Sequence, residues 1–257
     1  RIESMMHLDT IIIKTTYACN FSCSYCYEQK NISKKKISLA IVDELLKKIA
    51  LYSKSDKPFR MLWHGGEPLV MGLSFYKDVM DLQKEYQVKI INSIQTNGYL
   101  LNDETIDFLL KNNFHIGFSL DGPRRIHDSQ RHINGAGTFD TVFKNIVRMK
   151  AHTNYPQERR VGVISVFTKN TKENLEEFYL FMKENHLDVR INDLVFWDGK
   201  ESWESLSPND YASSLITLFD MWVNDIDGDF IINPFAEIIE GFIRGRVGVC
   251  TFSEKCH

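Results

Sequence analysis

The sequence predicts an α/β fold built on a parallel sheet. Two observations carry that prediction. Apolar, β-branched runs of strand length alternate with amphipathic stretches of helical period, and six such strand–helix units follow one another with short connections. Residue types that bind ligands also gather just past the strand ends, where α/β folds place their chemistry. Alternation of this kind demands a parallel sheet with right-handed crossovers. Six units are too few to close an eight-stranded barrel, so an open, partial (β/α)6 TIM-like barrel fits. A flat doubly wound sheet is the second reading. The 257 residues, 43% hydrophobic and 25% charged, are an ordinary globular composition with room for one large domain.

The first strand is the β-branched run Thr10 to Thr16. Leu39, Val42, Leu45, Leu46 and Ile49 recur at helical spacing over Ile37 to Leu51, with Ser38 available as a cap. Phe59 to Trp63 reads as strand, Leu73 to Tyr86 as helix and Lys89 to Gln95 as strand. Asn102 caps the next helix, with Asp103 and Glu104 suiting its dipole. Phe114 to Leu120 is a strand, and the polar connection Arg124 to Gly137 that follows is long for an α/β unit. Thr138 opens a helix, Val161 to Phe167 is a strand, and Asn170 with Glu173 marks a capping-box start to a helix through Asn185. Val189 to Trp197 is strand, and Ser207-Pro208 opens a helix to about Val223. The pattern changes near Asp225, giving an expected division into residues 8–225 and 226–257.

The net charge of −3 and the lack of a long basic run argue against a nucleic-acid partner. Arg124-Arg125 and Lys34-Lys35-Lys36 read as solvated faces or helix entries. Apolar runs stay below membrane-spanning length, so no membrane association is expected. No signal peptide is visible. Five cysteines, three of them clustered, argue against a disulfide framework and for a reducing, cytoplasmic setting.

The cluster is Cys19, Cys23 and Cys26, a C-x3-C-x2-C on the loop after the first strand. Thiolates so closely spaced converge on a soft metal centre. A zinc knuckle would want a fourth Cys or His nearby, and His7 and His64 are not at knuckle spacing. The stretch resembles the signature of radical S-adenosylmethionine (radical SAM) enzymes, including Tyr25 just before the last cysteine. That resemblance implies a [4Fe–4S] cluster with one open iron, which chelates the methionine moiety of S-adenosylmethionine and cleaves it to a 5′-deoxyadenosyl radical. It also implies a partial barrel.

Three further segments carry the resemblance. Gly65-Gly66-Glu67-Pro68 follows a strand directly; glycines let a backbone approach a ligand, and a carboxylate there can accept from an ammonium. By resemblance Gly65, Gly66 and Glu67 bind the amino group of the methionine moiety. Ser119 and Asp121 end the fourth strand, and by resemblance Ser119 and Arg131, twelve positions later, contact the cofactor's carboxylate and ribose. Asn97, in Thr96-Asn97-Gly98, is a cofactor candidate or a turn residue, and Tyr25 a candidate adenine contact. His127 and His132 read as surface residues.

Cys250 and Cys256 resemble the opening of the auxiliary-cluster (SPASM) region of peptide- and protein-modifying members, where such a pair supplies the first ligands of a second [4Fe–4S] cluster. No further cysteines follow in this sequence. The expected function is therefore that of a radical SAM maturase acting on a peptide or protein substrate, with flavodoxin or ferredoxin as electron donor. The first expectation for the reaction is a thioether or carbon–carbon crosslink in a ribosomally made peptide. The second is oxidation of Cys or Ser to formylglycine, as in anaerobic sulfatase maturation. A zinc-stapled binding module is the non-enzymatic alternative.

Overall fold

The structure is a computed structural model that describes residues 9–52, 58–194 and 204–245. The expected ligands Cys250 and Cys256 lie outside the described residues. Along the chain run β1 (Thr10–Thr16), α1 (Leu39–Tyr52), β2 (Phe59–Gly65), α2 (Leu73–Glu85), β3 (Ile90–Thr96), α3 (Asp103–Lys111), β4 (His115–Ser119) and α4 (Arg124–His127). There follow β5 (His132–Ile133), β6 (Ala136–Gly137), α5 (Phe139–Lys150), β7 (Val161–Val166), α6 (Lys169–Glu173), α7 (Leu175–Glu184) and β8 (Leu187–Asn192). Last come α8 (Pro208–Val223), β9 (Ile232–Asn233) and α9 (Phe235–Arg244). The chain divides into two compact units.

The first unit holds β1 to β4, with β5, β6 and α5. Its four long strands are parallel in chain order, and Ile12, Leu62, Ser93 and His115 fall in one row across them. Side chains of one face alternate inward: Ile13, Met61, Trp63, Ile94 and Phe118 are buried. The helices bring matching apolar stripes: Val42 and Leu46 on α1, Tyr76 and Val79 on α2, Ile106 and Leu109 on α3. Trp63 meets the rings of Phe75 and Tyr76 edge to face at 6.1 and 5.9 Å. The other face is more open, with Ile12 66% exposed.

A polar pair, Asn92 and Gln83, sits among these apolar side chains. Asn92 Oδ1 accepts from Trp63 Nε1 at 2.9 Å and from Gln83 Nε2 at 3.1 Å, and Asn92 Nδ2 donates to Gln83 Oε1 at 2.8 Å. Asn92→Leu keeps the volume but strands an indole N–H and an amide. We expect a loss of about 2–4 kcal/mol in urea unfolding; a midpoint within error of the wild type would show the network to be dispensable.

The second unit holds β7, β8 and β9, also parallel, with Val163, Val189 and Ile232 in one row. Leu120, Phe167, Phe178, Leu187 and Leu218 fill its core. Asp121 is fully buried, its Oδ1 accepting from the Val166 amide at 3.1 Å. It ties a loop to a strand and is a structural cap.

Several expectations need correcting. The connection after β4 is not bare, since it contains the one-turn helix α4 and the hairpin β5–β6. His127, expected at the surface, is fully buried, with Nδ1 3.4 Å from the Asp121 amide. Thr168 rather than Asn170 caps the helix after β7, forming its capping box with Thr171, and the helix breaks at Asn174 into α6 and α7. Thr138 does precede α5, but its hydroxyl donates to the Arg131 carbonyl at 3.1 Å rather than capping. A seventh parallel strand, β9, follows the six expected units. No helix among the described residues is long and apolar enough to cross a membrane.

Candidate active site

The site lies wholly within the first unit, at the C-terminal ends of β1 to β4. One cavity there is lined by Cys19, Cys23, Cys26 and Tyr25 from the loop after β1, by Gly65, Gly66 and Glu67, and by Ser119 and Arg131. Asn97 also lines it, so every candidate among the described residues reaches one cavity wall.

The cysteine loop is stitched from both sides. Gly66 N donates to Thr16 O at 2.8 Å and Glu67 N to Ala18 O at 2.9 Å. A Cβ on Gly66 would stand 2.3 Å from the Ala18 carbonyl oxygen, and one on Gly65 2.5 Å from that of Thr16, so both glycines are required by this contact. Their first partners are thus the end of β1 and the cysteine loop that follows it, which sequence reasoning did not foresee. Within the loop Cys26 N donates to Cys23 O, and Gln29 Nε2 reaches the same carbonyl at 2.9 Å. Gly66→Ala has no flexible neighbour to push aside. We expect the folded variant to lose most of its anaerobic iron uptake; wild-type iron content would refute this.

Glu67 is 1% exposed. Its Oε1 accepts from Leu69 N at 2.9 Å and Thr96 Oγ1 at 2.7 Å, and its Oε2 from Asn97 N at 2.7 Å. Burial pushes the carboxyl up to about 7, against the pull of these three donors. The carboxylate therefore clamps the end of β2 to the end of β3. Asn97 continues the clamp: its Oδ1 accepts from Tyr99 N at 3.0 Å, an Asx turn, and its Nδ2 donates to Asn20 Oδ1 at 2.8 Å beside Cys19.

Burial also raises the Cys19 thiol to about 11, partly offset by the Phe21 amide at 3.4 Å from Sγ. In the metal-free chain that thiol keeps its proton, which a soft metal must displace. Across the cavity the Arg131 guanidinium lies 5.4 Å from the Tyr25 ring centroid, a cation–π pair, and Ser119 Oγ accepts from Gln95 Nε2 at 3.2 Å.

Phe21, His64 and Gln95 also line the cavity. Sequence reasoning missed them as site residues, although each adjoins a quoted motif. His64 Nδ1 accepts from Gly65 N at 2.7 Å, so Nε2 carries the ring proton, and burial keeps the imidazole below its ordinary pKa.

The donor set fits an iron–sulfur cluster and its ligand. Three thiols, none in a disulfide, share a cavity wall. Asn20 Nδ2, in the same loop, is buried with no acceptor, as a donor to sulfide would be. Among the described residues no three His, Cys, Asp or Glu side chains close on a single metal-ion position.

The model of the radical SAM superfamily matches residues 13–182. The chain belongs to that superfamily. Membership makes this radical SAM chain an enzyme working with a [4Fe–4S] cluster and S-adenosylmethionine, and it removes the zinc-module alternative. The chain is 36% identical to a serine-type anaerobic sulfatase-maturating enzyme of Bacteroides thetaiotaomicron, over 93% of this chain and 63% of that protein. It is 30% identical to a cysteine-type enzyme of Clostridium novyi, over 98% of this chain and 70% of that protein. It thus spans about two thirds of these relatives. Native anSMEcpe with bound AdoMet superposes with a TM-score of 0.83 at 27% identity, over 94% of this chain and 68% of that one. Streptococcus suis SuiB bound to precursor peptide SuiA gives 0.66 at 16% identity, over 88% of this chain and 48% of that one, a likeness of fold alone. The α/β fold with parallel strands is thus the expected partial-barrel class.

Proposed function

We propose that this radical SAM enzyme oxidises a Ser or Cys side chain of a protein substrate to formylglycine, the reaction class of sulfatase maturation. The single observation that carries the cofactor half of this reading is the shared cavity of Cys19, Cys23, Cys26, Gly66, Ser119 and Arg131. The relatives named above favour the sulfatase class over peptide crosslinking, which was the first expectation, because the crosslinking likeness stands on fold alone.

In this reading Cys19, Cys23 and Cys26 hold the cluster. Bound there, the cluster and S-adenosylmethionine would supply the hydrogen-abstracting chemistry. Gly65 and Gly66 shape the wall at the methionine amino group. Glu67 holds that wall rigid through its three internal bonds, and Asn97 holds the cysteine loop. Arg131 offers a guanidinium fork to the carboxylate, with Ser119 beside it, and Tyr25 offers a ring to the adenine. His64, neutral and locked as an Nε2–H donor, orients what enters the cavity. Residues 226–257, with Cys250 and Cys256, open an auxiliary-cluster region, and flavodoxin or ferredoxin supplies electrons.

The test uses a sulfatase peptide carrying Ser or Cys, incubated anaerobically with enzyme, reductant and S-adenosylmethionine. The expected product from serine is lighter by two hydrogens and is captured by a hydrazide probe as an aldehyde. A product equally light but inert to hydrazide would be a crosslink and would overturn the formylglycine reading.

A further inference from the structure

β1 ends the sheet, with β2 on one side and no strand on the other among the described residues. Arg60 N donates to Asp9 O at 2.7 Å, which sets the parallel ladder so that Ile11 and Ile13 turn their backbone groups to β2. Thr10, Ile12 and Lys14 therefore turn their N–H and C=O groups away from the sheet. All three residues are exposed, Ile12 at 66%. Proteins commonly blunt an open edge with proline, a bulge or charge. Residues 10–14 hold no proline, and the ladder stays regular up to Lys14. The one charge on this stretch, Lys14, is paired with Glu28 Oε1 at 2.5 Å.

The next part of the edge is already paired in strand fashion. Beyond Lys14, residues 35–37 run antiparallel along it: Ile37 N donates to Thr15 O at 2.8 Å, and Lys35 O accepts from Tyr17 N at 3.1 Å. Lys36 Nζ pins that segment to the Val70 carbonyl at 3.1 Å. A strand laid along residues 10–14 thus stops against it, level with His64, which stands opposite Lys14 and lines the cavity. The open edge is continuous with the cavity wall.

We infer that the outer edge of β1 takes up the substrate as an added β-strand, through main-chain hydrogen bonds to Ile12 and its neighbours. The inference rests on the proposed action on a protein side chain. It adds the form of that substrate: an extended, unfolded segment, not the surface of a folded domain. Main-chain pairing supplies affinity while leaving the sequence of the paired stretch largely open. The added strand stands two strand spacings, about 10 Å, from His64. The target residue therefore lies about three residues beyond the paired stretch. Continuity with the cavity selects the substrate over a second copy of this chain. Residues 10–14 alone would also give such a dimer far less than the roughly 20–30 residues a side of a stable interface.

The test measures binding of a fluorescent sulfatase peptide, carrying Ser or Cys, to the loaded enzyme with S-adenosylmethionine. A series of peptides, each N-methylated at one residue, is compared. We expect binding about tenfold weaker for methylation at alternate positions of the paired stretch and less than about twofold weaker at those between, since alternate N–H groups face β1. Ile12→Pro removes one outward donor and spares the bonds to β2. It should bind the unmodified peptide about fivefold more weakly, whereas Ile12→Ala, which keeps the donor, should stay within about twofold of wild type. The methylated peptides carry the test even where the proline variant does not fold. Equal weakening at neighbouring positions, or none at any, would overturn strand addition and leave the proposed reaction intact. A wild-type dimer that Ile12→Pro makes monomeric would give the edge to a second copy and overturn it too. The alternating pattern without an aldehyde product would uphold the docking and sink the formylglycine reading. A wild-type enzyme that binds no sulfatase peptide would overturn both.

Discussion

Cys23→Ala should abolish 5′-deoxyadenosine release, to below a thousandth of the wild-type rate (roughly 4 kcal/mol or more in barrier terms). Cys23 is 8% exposed, and its carbonyl anchors both the Cys26 amide and the Gln29 side chain. Alanine leaves those backbone bonds in place and removes only the sulfur. A structural thiol lost from so local a turn would cost about 1 kcal/mol and leave the chemistry alone. A cluster ligand, by contrast, has no substitute within the loop. The variant should fold with a wild-type circular dichroism spectrum and hold far less iron and sulfide. Release of 5′-deoxyadenosine at a rate near wild type would contradict the ligand role.

Glu67→Ala is expected to be the most damaging change to the metal-free fold. It orphans Leu69 N, Thr96 Oγ1 and Asn97 N together, each a buried donor. Stranding them should cost about 3–5 kcal/mol in urea unfolding. The same residue gives a pH signature. Its folded pKa, about 7, stands above the value of 4.5 it has in solvent. The folded state therefore binds the proton more tightly, and stability of the metal-free chain falls as pH rises from about 4.5 to about 7. Alanine should remove that slope. A wild-type chain equally stable at both ends of this window would show that the three donors hold the carboxylate ionised throughout.

The chemistry-bearing positions were legible because each sits in a short motif at a strand end. Spacing alone puts Cys19, Cys23 and Cys26 on one loop, and period-2 alternation sets the strand faces from Ile13 through Phe118. Ser119 and Arg131, paired by the family resemblance and not by any local pattern, also reach one cavity. What stayed hidden depends on register between strands. Gln95 reaches Ser119 because it pairs with Gly117, where a Cβ would lie 2.3 Å from its amide oxygen, and no local pattern encodes that pairing. His64 looks like an ordinary strand residue until Lys14 is found opposite it. The glycines of the Gly65-Gly66 turn announced a close approach but not its partner, since Ala18 is remote in sequence. Asn170 carries a start signal, but the helix begins at Lys169, capped by Thr168 through its box with Thr171. His127 lies in a polar run, and only the single turn of α4 shows that it faces inward with Ile126.

The account stands or falls on what the three loop thiols hold. The most direct measurement is iron and acid-labile sulfide per chain in anaerobically prepared protein with Cys250 and Cys256 both changed to alanine, so that only Cys19, Cys23 and Cys26 remain. About four irons and an equal amount of sulfide, lost again on Cys23→Ala, is the predicted result. A single zinc with no sulfide, or no metal at all, would contradict it.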